Sequence, residues 1–378
     1  MDLQSYAPGW RCCVRVLGGL LLALGAAVQP AQAVDNTGLG PLSIRNQFPI
    51  GLRFLDYTPE APATLRDGTA EVRYQFELTN TLINAQSPLA NNTTTITRTE
   101  VAAGLTPANF PATGYGVYID AETRRQVLRL NYGLSERFEV GLELAWITFG
   151  GGFLDDRIET VEQTAGGFNK DRQFSDRDRF DFYVTKDAGT SNSFLIASSQ
   201  PATNILQDPV LGVKWNLSRG GDVLPALTVK LAYKRPLDRQ PTGERALVSS
   251  GGADFGYYFL FAKAVGDVVG HIQVGQTKLE VAPNTFAERL RHRMFGLEFR
   301  WSQVSSFVLQ SVTQTSIFLR NDMPGTRDFD MSRSTDVFVL GYKYLSRTFL
   351  FELGGIEDYN QQRNESDITF YFSTGWRW

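Results

Sequence analysis

The segment ITFYFSTGWRW, residues 368–378, decides the fold, because its residues alternate in character with a period of two. Trp376, Phe372 and Phe370 lie on one face of an extended chain, and Arg377 and Ser373 lie on the other. Successive side chains of a β-strand point to opposite sides, so one face is aromatic and the other is mostly polar. Such a strand suits a barrel wall with lipid outside and water inside, although the edge strand of a soluble sandwich would share the pattern.

The same alternation recurs along the chain from residue 70 onward. It is clearest where Ala70, Val72 and Phe76 alternate with Glu71 and Arg73. A helix would distribute these charges around its circumference, whereas a strand collects them on one side. About twelve segments qualify, at 70–79, 128–132, 138–148, 211–217, 227–233, 255–261, 268–276, 295–301, 307–316, 338–344, 349–353 and 368–378. The sequence therefore predicts an all-β fold, a transmembrane antiparallel β-barrel of about 12 strands that occupies 70–378.

The connections between these strands alternate between short and long. The short ones are 134–137, 218–223, 264–267, 302–305 and 345–348, and the long ones are 84–114, 150–207, 235–252, 277–291, 317–333 and 357–365. Short periplasmic turns and long extracellular loops are typical of outer-membrane barrels. Aromatic residues flank the short connections like an interfacial girdle, namely Tyr132, Phe138, Trp215, Phe261, Trp301, Phe307, Tyr344, Phe349 and Trp376. The expected location is the bacterial outer membrane.

The N-terminus has the features of a secretory signal peptide. Arg11 and Arg15 precede the apolar run 16–28, which is followed by the small-residue sequence AQA ending at Ala33. We therefore expect residues 1–33 to be a signal peptide that is cleaved near Ala33, so that the exported chain begins with Val34.

Composition narrows the chemistry of the exported chain. Both cysteines, Cys12 and Cys13, precede the expected cleavage site, which excludes disulfides and thiolate chemistry after export. The formal net charge of −3 gives no indication of a nucleic-acid partner. No phosphate-binding loop or metal-ligand cluster stands out in the sequence, so we expect neither a cofactor nor a metal.

Residues 34–69 form a separate segment before the first strand. Its four prolines argue against a long regular element, yet the apolar residues within 50–55 are too many for a solvated tail. Two interpretations stay open: a disordered periplasmic leader, or a plug that docks inside the barrel. The candidate plug residues are Arg45, Phe48, Arg53 and Phe54.

Strand parity predicts which charged residues point into the lumen. The candidates are Arg73, Glu77, Arg129, Glu139, Glu143, Lys214, Lys230, Glu298, Arg300, Lys343 and Glu352, with Glu71, Lys234 and Asp254 on the same faces. Near-balance of the two signs favours ion pairs that fix the strands and fill the interior, because an unpaired buried charge is costly. The alternative is a polar conduit that selects a solute. Barrels of about eight strands are filled by side chains and those of sixteen or more hold water channels, so twelve strands suggest a narrow or gated pore.

The segment 150–207 and the two histidines are the remaining candidates for other chemistry. The segment is dense in alternating charges, which indicates a solvated, self-paired surface loop or a constriction at the barrel mouth. Asp176, Asp178 and Asp181 lack the spacing of a calcium loop. Neither His271, near the periplasmic end of its strand, nor His292, at a loop margin, has a serine at a matching position. We expect His292 at the surface and no enzymatic activity.

Several short motifs together resemble a known family. They are YGLSERFEVG at 132–141, GPLSIRNQFP at 40–49, GFLD at 152–155 with Ile158, Glu357-Asp358, and Ser366-Asp367-Ile368. In this combination the chain resembles, from Gly40 to Trp378, an uncharacterised family of Gram-negative outer-membrane barrels known only as a domain of unknown function. The resemblance implies location and barrel fold, in the manner of porin-like transporters, and it implies no catalytic residue.

The sequence favours a narrow outer-membrane channel or transporter for a small solute. A lipid-modifying enzyme and a structural or surface-interaction barrel are the alternatives. The expected partners are the lipid bilayer with its lipopolysaccharide, a small-molecule solute, and the barrel-assembly machinery, which would recognise the terminal strand ending at Trp378.

Overall fold

The computed structural model describes residues 38–86, 96–152, 154, 178–319, 333–358, 366 and 368–378. The expected signal peptide lies outside these residues. The strands are β1 (Ala70–Gln86), β2 (Tyr115–Ser135), β3 (Phe138–Gly150), β4 (Asp181–Lys186), β5 (Phe194–Ser198), β6 (Ala202–Leu206), β7 (Val210–Arg219), β8 (Ala226–Lys234), β9 (Asp254–Val265), β10 (Val268–Lys278), β11 (Arg289–Arg300), β12 (Ser305–Gln314), β13 (Thr335–Leu345), β14 (Phe349–Asp358) and β15 (Ile368–Arg377).

Twelve of these strands, all except β4, β5 and β6, form one closed antiparallel barrel. Sequential neighbours are hydrogen-bonded from β7 to β15, and β1, β2 and β3 complete the ring. Closure is made by β1 and β15, in register from Glu71 opposite Arg377 to Asn80 opposite Ile368. The predicted fold class and the pairing of the last strand with the first are therefore confirmed.

The two ends of the barrel differ in their connections. At one end the described strands are joined by 136–137, 220–225, 266–267, 301–304 and 346–348, and Ala70 donates its backbone N–H to the carbonyl of Trp378 over 3.0 Å. We call this the short-turn end, and the opposite one the long-loop end. At the long-loop end the connections between barrel strands are longer, and the shortest of them are 359–367 and 279–288, with nine and ten residues.

The predicted arrangement of the long-loop end between β1 and β7 is mostly wrong. β2 begins at Tyr115 rather than near 128, and its first six residues pair with β4 instead of β3. Strands β4, β5 and β6 lie within 150–207, for which the sequence predicts an irregular loop. β6 pairs with the part of β3 that lies toward the long-loop end. The charged stretch 155–177 lies outside the described residues.

The three α-helices of the described residues are short: α1 (Arg98–Ala103), α2 (Ala188–Ser191) and α3 (Arg245–Val248). In the part of the chain that the structure describes, no helix is long and apolar enough to cross a membrane. α1 covers the outer face of β2 at the long-loop end, where Val101 belongs to a cluster with Tyr118 and Phe110.

The outer face of the barrel is apolar and the inner face is polar over most of the wall. Along β1, Glu71, Arg73 and Glu77 are buried while Tyr74, between them, is exposed. Aromatic pairs lie on the outside near the short-turn end, including Phe138 stacked on Trp215 with ring centroids 5.8 Å apart. A wall with exposed apolar side chains outside and charged ones inside is the pattern of a strand facing lipid.

Candidate functional site

Residues 38–69, here called the inner segment, run through the lumen as a hairpin. Near the short-turn end, the backbone N–H groups of Leu39 and Gly40 donate to Glu298 over 2.8 and 3.0 Å. The chain then rises to a 3-10 turn at Gly51–Arg53 and returns, so that Leu65 donates its N–H to Glu139 over 2.7 Å. Both legs of the hairpin therefore lie against the wall, and its tip points toward the long-loop end.

The tip of the inner segment is held by apolar contacts. Phe48, Ile50, Leu52 and Phe54 are at most 3% exposed and belong to one large cluster with the inner faces of β2, β3 and β4. The rings of Phe54 and Phe286 lie 5.5 Å apart, edge to face. Full burial of each such side chain stabilises the packed state by about 1.5–3 kcal/mol. The long-loop half of the lumen is consequently a hydrophobic core.

The short-turn half of the lumen is charged, and part of its wall is one ion-pair network. Arg125 lies 3.1 Å from Glu77 and 2.6 Å from Glu143, which in turn accepts from Arg129 over 2.8 Å. The guanidinium of Arg125 also donates to Gln207 over 3.0 Å. Charge-assisted bonds of this length offset the cost of burying the charges.

A second network joins the wall to the first leg of the inner segment. Glu352 lies 2.8 Å from the ammonium of Lys343 and 3.6 Å from Arg73, and Tyr371 donates to it. Lys343 donates to the carbonyl of Pro41 over 2.9 Å, and Arg73 to the hydroxyl of Ser43 over 2.8 Å. Every one of these charges is buried, so the inner segment is needed to complete their hydrogen bonding.

Two glycines of the wall form a socket for Leu42. Gly341 of β13 and Gly354 of β14 are cross-strand partners on the inner face. A Cβ atom at Gly341 would lie 2.6 Å from Cδ1 of Leu42, and one at Gly354 would lie 3.1 Å from the same atom. Glycine is required here because the leucine side chain approaches the wall backbone directly.

The second leg contributes Glu60 to a cavity between β2, β3, β7 and β8. The cavity volume is about 50 Å³, and the charged lining comprises Glu60, Arg129, Glu139, Glu143, Lys214 and Lys230. Glu60 accepts a hydrogen bond from Lys230 and lies 3.8 Å from Lys214. Burial raises the pKa of the Glu60 carboxyl, but the two ammonium groups outweigh burial and lower it to about 2. Glu60 is therefore a carboxylate at neutral pH.

His292 belongs to a buried chain of polar groups between the inner segment and the wall. Its Nδ1 lies 3.5 Å from Asp56, its Nε2 lies 3.0 Å from the hydroxyl of Thr277, and that hydroxyl lies 2.8 Å from the one of Tyr258. The side chain is 2% exposed, so the predicted surface position is wrong. Parity gives the reason, because His292 shares the inward face of β11 with Glu298.

His271 is buried in the same way and contacts Glu298 over 3.0 Å. Both histidines are thus part of the lumen packing. A carboxylate, imidazole and hydroxyl in line can activate a nucleophile, but the chain from Asp56 to Thr277 is enclosed by the wall and the inner segment. A lipid substrate at the outer rim has no access to it.

The charged residues predicted on the inner face all lie on that side of their strands. The structure brings ten of them into the lumen networks: Arg73, Glu77, Arg129, Glu139, Glu143, Lys214, Lys230, Glu298, Lys343 and Glu352. Arg300 lies apart from them, where it donates to the carbonyl of Gly266 at the short-turn end. Because its guanidinium binds the connection between β9 and β10, Arg300 does not line the lumen.

The four candidate residues of the inner segment are all buried inside the barrel. Arg45 lies 3.3 Å from Asp56 and donates to the carbonyl of Gly51, which holds the two legs together. Arg53 donates to the carbonyl of Ser249, and burial lowers the pKa of its guanidinium to about 10. Phe48 and Phe54 belong to the apolar tip.

Several residues of the site were not predicted. The central one is Arg125, which was missed because the neighbouring Arg124 interrupts the alternation, although residue 125 has the same parity as Arg129. The pattern of charge on the inner faces does not indicate the neutral residues of the site, which are Gln207, Thr277, Tyr258 and Tyr371.

The described part of 150–207 does not form a solvated loop. Phe180, Phe182 and Ile196 belong to the apolar cluster around the tip of the inner segment. Asp181 accepts from Arg179, and Asp176 lies outside the described residues. Among the described residues, no group of three or more His, Cys, Asp or Glu side chains is arranged to hold a metal ion.

Comparison with known proteins gives the family. The family model described as "Protein of unknown function (DUF3187)" matches residues 17–378. The chain belongs to this family. No match was found among curated proteins.

Solved structures similar to this DUF3187 protein include two that are described as channels. The crystal structure of the COG4313 outer membrane channel from Pseudomonas putida F1 covers 85% of this chain and 100% of its own, with a TM-score of 0.53 and 8% identity. A second structure, described as the CymD monoaromatic hydrocarbon channel, covers 91% of this chain and 98% of its own, but its TM-score is 0.34 at 11% identity. At these identities the first structure supports the fold of the DUF3187 chain, and the second is too dissimilar to add to it.

Proposed function

We propose that this DUF3187 protein is an outer-membrane channel for a small solute, closed by residues 38–69 acting as a plug. The observation that carries the proposal is that the lumen is filled by a separable stretch of chain. Barrels of about eight strands are filled by their own side chains, whereas a twelve-stranded wall is wider. Without the inner segment, the ring of inward-facing charges would border open space.

The contacts of the inner segment support a gate rather than a permanent core. In the short-turn half, polar contacts with wall side chains predominate, and water and ions can replace them. The chemistry of the lumen, with paired charges of both signs, suits a narrow polar conduit. The COG4313 protein of similar fold is described as an outer membrane channel, which agrees with this role.

Location follows from the same argument. An apolar outer face with aromatic residues at the short-turn end suits insertion in the outer membrane, with the short turns in the periplasm. Both ends of the inner segment would then lie on the periplasmic side. An export signal in residues 1–33 would deliver the chain there.

Solute uptake into proteoliposomes tests the proposal. Wild type and a variant lacking residues 34–67 are compared with a series of uncharged and charged solutes of increasing size. Assembly of both proteins is verified by heat-modifiable gel migration, so that a misfolded deletion variant is not counted. We expect faster uptake through the deletion variant, with an upper size limit. An assembled deletion variant that admits no solute would contradict the channel function.

A tether provides the matched control. Tyr57 of the inner segment and Tyr258 of the wall have ring centroids 4.9 Å apart. The double variant Tyr57→Cys and Tyr258→Cys, joined by a reducible bis-maleimide, fixes the inner segment to β9. We expect the tether to suppress whatever uptake the untreated double variant shows, and reduction to restore it. Equal uptake with and without the tether would mean that the inner segment is not the gate.

A further inference from the structure

Three basic side chains converge on one cavity of the lumen, and the inner segment places a carboxylate among them. We propose that the cavity lined by Arg129, Lys214 and Lys230 is a binding site for a small organic monocarboxylate, and that Glu60 occupies the position of its carboxylate while the inner segment is seated. The inference rests on the proposed channel function and names the class of solute.

Glu60 has the contacts that a bound carboxylate would have. One oxygen accepts from Lys230 and the other lies 3.8 Å from Lys214. Among the described residues, Glu60 is the acidic group within 4 Å of Lys230, whereas Lys214 is shared between Glu60 and Glu139, which lies 3.5 Å from it. A solute that enters through the lumen and carries a carboxylate can therefore compete with Glu60 for the same two ammonium groups.

Arg129 supplies an independent indication that an acceptor is missing. Its Nε donates to Glu143 over 2.8 Å, but its Nη2 is buried and has no hydrogen-bond partner. Buried polar atoms in native proteins nearly always have a partner. The guanidinium edge is suited to a planar carboxylate, and Arg129 lines the same cavity as the two lysines.

Two glycines of the wall line the space in which such a solute would lie. Gly141 of β3 and Gly212 of β7 are cross-strand partners and share the inward parity of Glu139 and Lys214. A Cβ atom at Gly212 would find its nearest atoms at 3.9 Å. The lack of a side chain at Gly212 therefore leaves space for the cavity, whereas a Cβ atom at Gly141 would lie 2.6 Å from Oδ1 of Asn131.

The charge of the cavity selects a monoanion. If Glu60 withdraws, three cations face the two wall carboxylates Glu139 and Glu143, and one positive charge is left to be balanced. A monocarboxylate restores the balance. A phosphate dianion would exceed it and would lie close to two carboxylates, which is unfavourable where water is scarce.

Calorimetric binding to the full exported chain in detergent micelles tests the site, with propionate as the probe. We expect Glu60→Gln to bind propionate at least ten times more tightly than wild type, because the substitution removes the competing charge. Propionamide, which is neutral and of the same shape, should not bind. Adding Gly212→Phe to Glu60→Gln should abolish binding by filling the cavity. Inorganic phosphate distinguishes a general anion site from a carboxylate site and should bind at least tenfold more weakly than propionate.

Asp56→Asn is the matched control, because it also removes a carboxylate from the second leg but at a contact with Arg45 and His292. It should bind propionate no better than wild type. Equal gains for Glu60→Gln and Asp56→Asn would show that loosening of the inner segment is responsible, and would overturn the proposal, as would equal affinity in wild type and Glu60→Gln.

A second measurement covers the case in which Glu60→Gln does not assemble. In wild type, saturating propionate should accelerate hydrogen exchange of peptides around residues 58–64 at least threefold relative to propionamide, since it displaces Glu60. No difference would refute the site. Solute uptake without carboxylate binding would overturn this inference but not the channel function. Carboxylate binding without solute uptake would support the binding site and contradict the channel function.

Discussion

The two halves of the lumen hold the same inner segment by different forces. At the long-loop end its tip is packed among buried aromatic and aliphatic side chains, with Phe48 and Phe54 at the centre. At the short-turn end its two legs are bound by side chains such as Glu298, Lys343 and Lys214, mostly through backbone groups. Apolar packing contains no charge that ions could screen or that could titrate, whereas hydrogen bonds to charges depend on each partner's ionisation.

The two kinds of contact give the two halves of the inner segment different properties. The apolar tip holds the inner segment at the long-loop end independently of the charge state of the groups around it. The charged half can exchange its contacts for water, ions or a charged solute. A segment that opens should therefore open first at the short-turn end. The following predictions test this division.

The largest effect is expected from Glu352→Ala. The substitution leaves Lys343 and Arg73 buried without their shared carboxylate and removes an acceptor for Tyr371. Breaking a buried ion pair on one side costs about 3–5 kcal/mol. We expect a loss of this size in the free energy of unfolding, measured by denaturant titration in phospholipid vesicles.

The control for Glu352→Ala is an ion pair that the solvent screens. Glu136 and Arg219 lie 2.6 Å apart at the short-turn end, and each side chain is 56% exposed. Glu136→Ala should cost less than about 1 kcal/mol. If both substitutions had equal effects, the buried charges of the short-turn half would not be important to its stability.

Phe54→Ala tests the apolar half. The ring is 2% exposed and packs against Phe286, so its removal should cost about 3 kcal/mol of docking free energy. That loss corresponds to roughly 100-fold faster hydrogen exchange at the tip of the inner segment. The effect should be the same at low and high salt. Phe259→Ala on the outer face of β9 is the control, and it should leave exchange at the tip unchanged.

The sequence predicts the short-turn half of the lumen better than the long-loop half. In the short-turn half, the outer face is apolar and the inner face carries charge, so the alternation is strong and parity places Glu77, Glu143 and Lys214 on the inner face. Partners were not predictable, because pairing depends on register and on where the inner segment runs. Strand parity does not predict which carboxylate pairs with Arg129.

In the long-loop half the signal disappears for a physical reason. The first residues of β2, YGVYID, and those of β4, DFYVTK, are buried on both faces, so no polar residue is needed at alternate positions. A short apolar run of this kind does not reveal a strand by periodicity. The sequence pattern therefore indicates the polar half of the lumen and does not indicate the wall around the apolar tip.

The pH dependence of stability should separate the two halves as well. The pKa of Glu60 falls from 4.5 to about 2 on folding, so its carboxylate contributes fully above pH 4.5, and the contribution is lost as the pH falls from there toward 2. The difference in unfolding free energy between wild type and Glu60→Gln should shrink across this window. The difference between wild type and Phe54→Ala should stay constant. A Glu60 difference that does not change with pH would contradict the ion pair with Lys230.

The smallest effect is expected outside the lumen, at the cap of α1. Thr97 accepts the backbone N–H of Glu100 and donates its own backbone N–H to the Glu100 carboxylate over 2.8 Å, and this second bond lowers the pKa of that carboxyl. Thr97→Ala should cost about 1 kcal/mol, because the helix loses one capping partner. Hydrogen exchange should rise in α1, while exchange in the inner segment stays as in wild type, since α1 packs on the outer face of β2. Thr99→Ala in the same helix is the matched control and should change neither. Faster exchange in the inner segment of Thr97→Ala would mean that the outer layer also helps to hold the tip, and the two halves of the lumen would then not be independent of the loops above them.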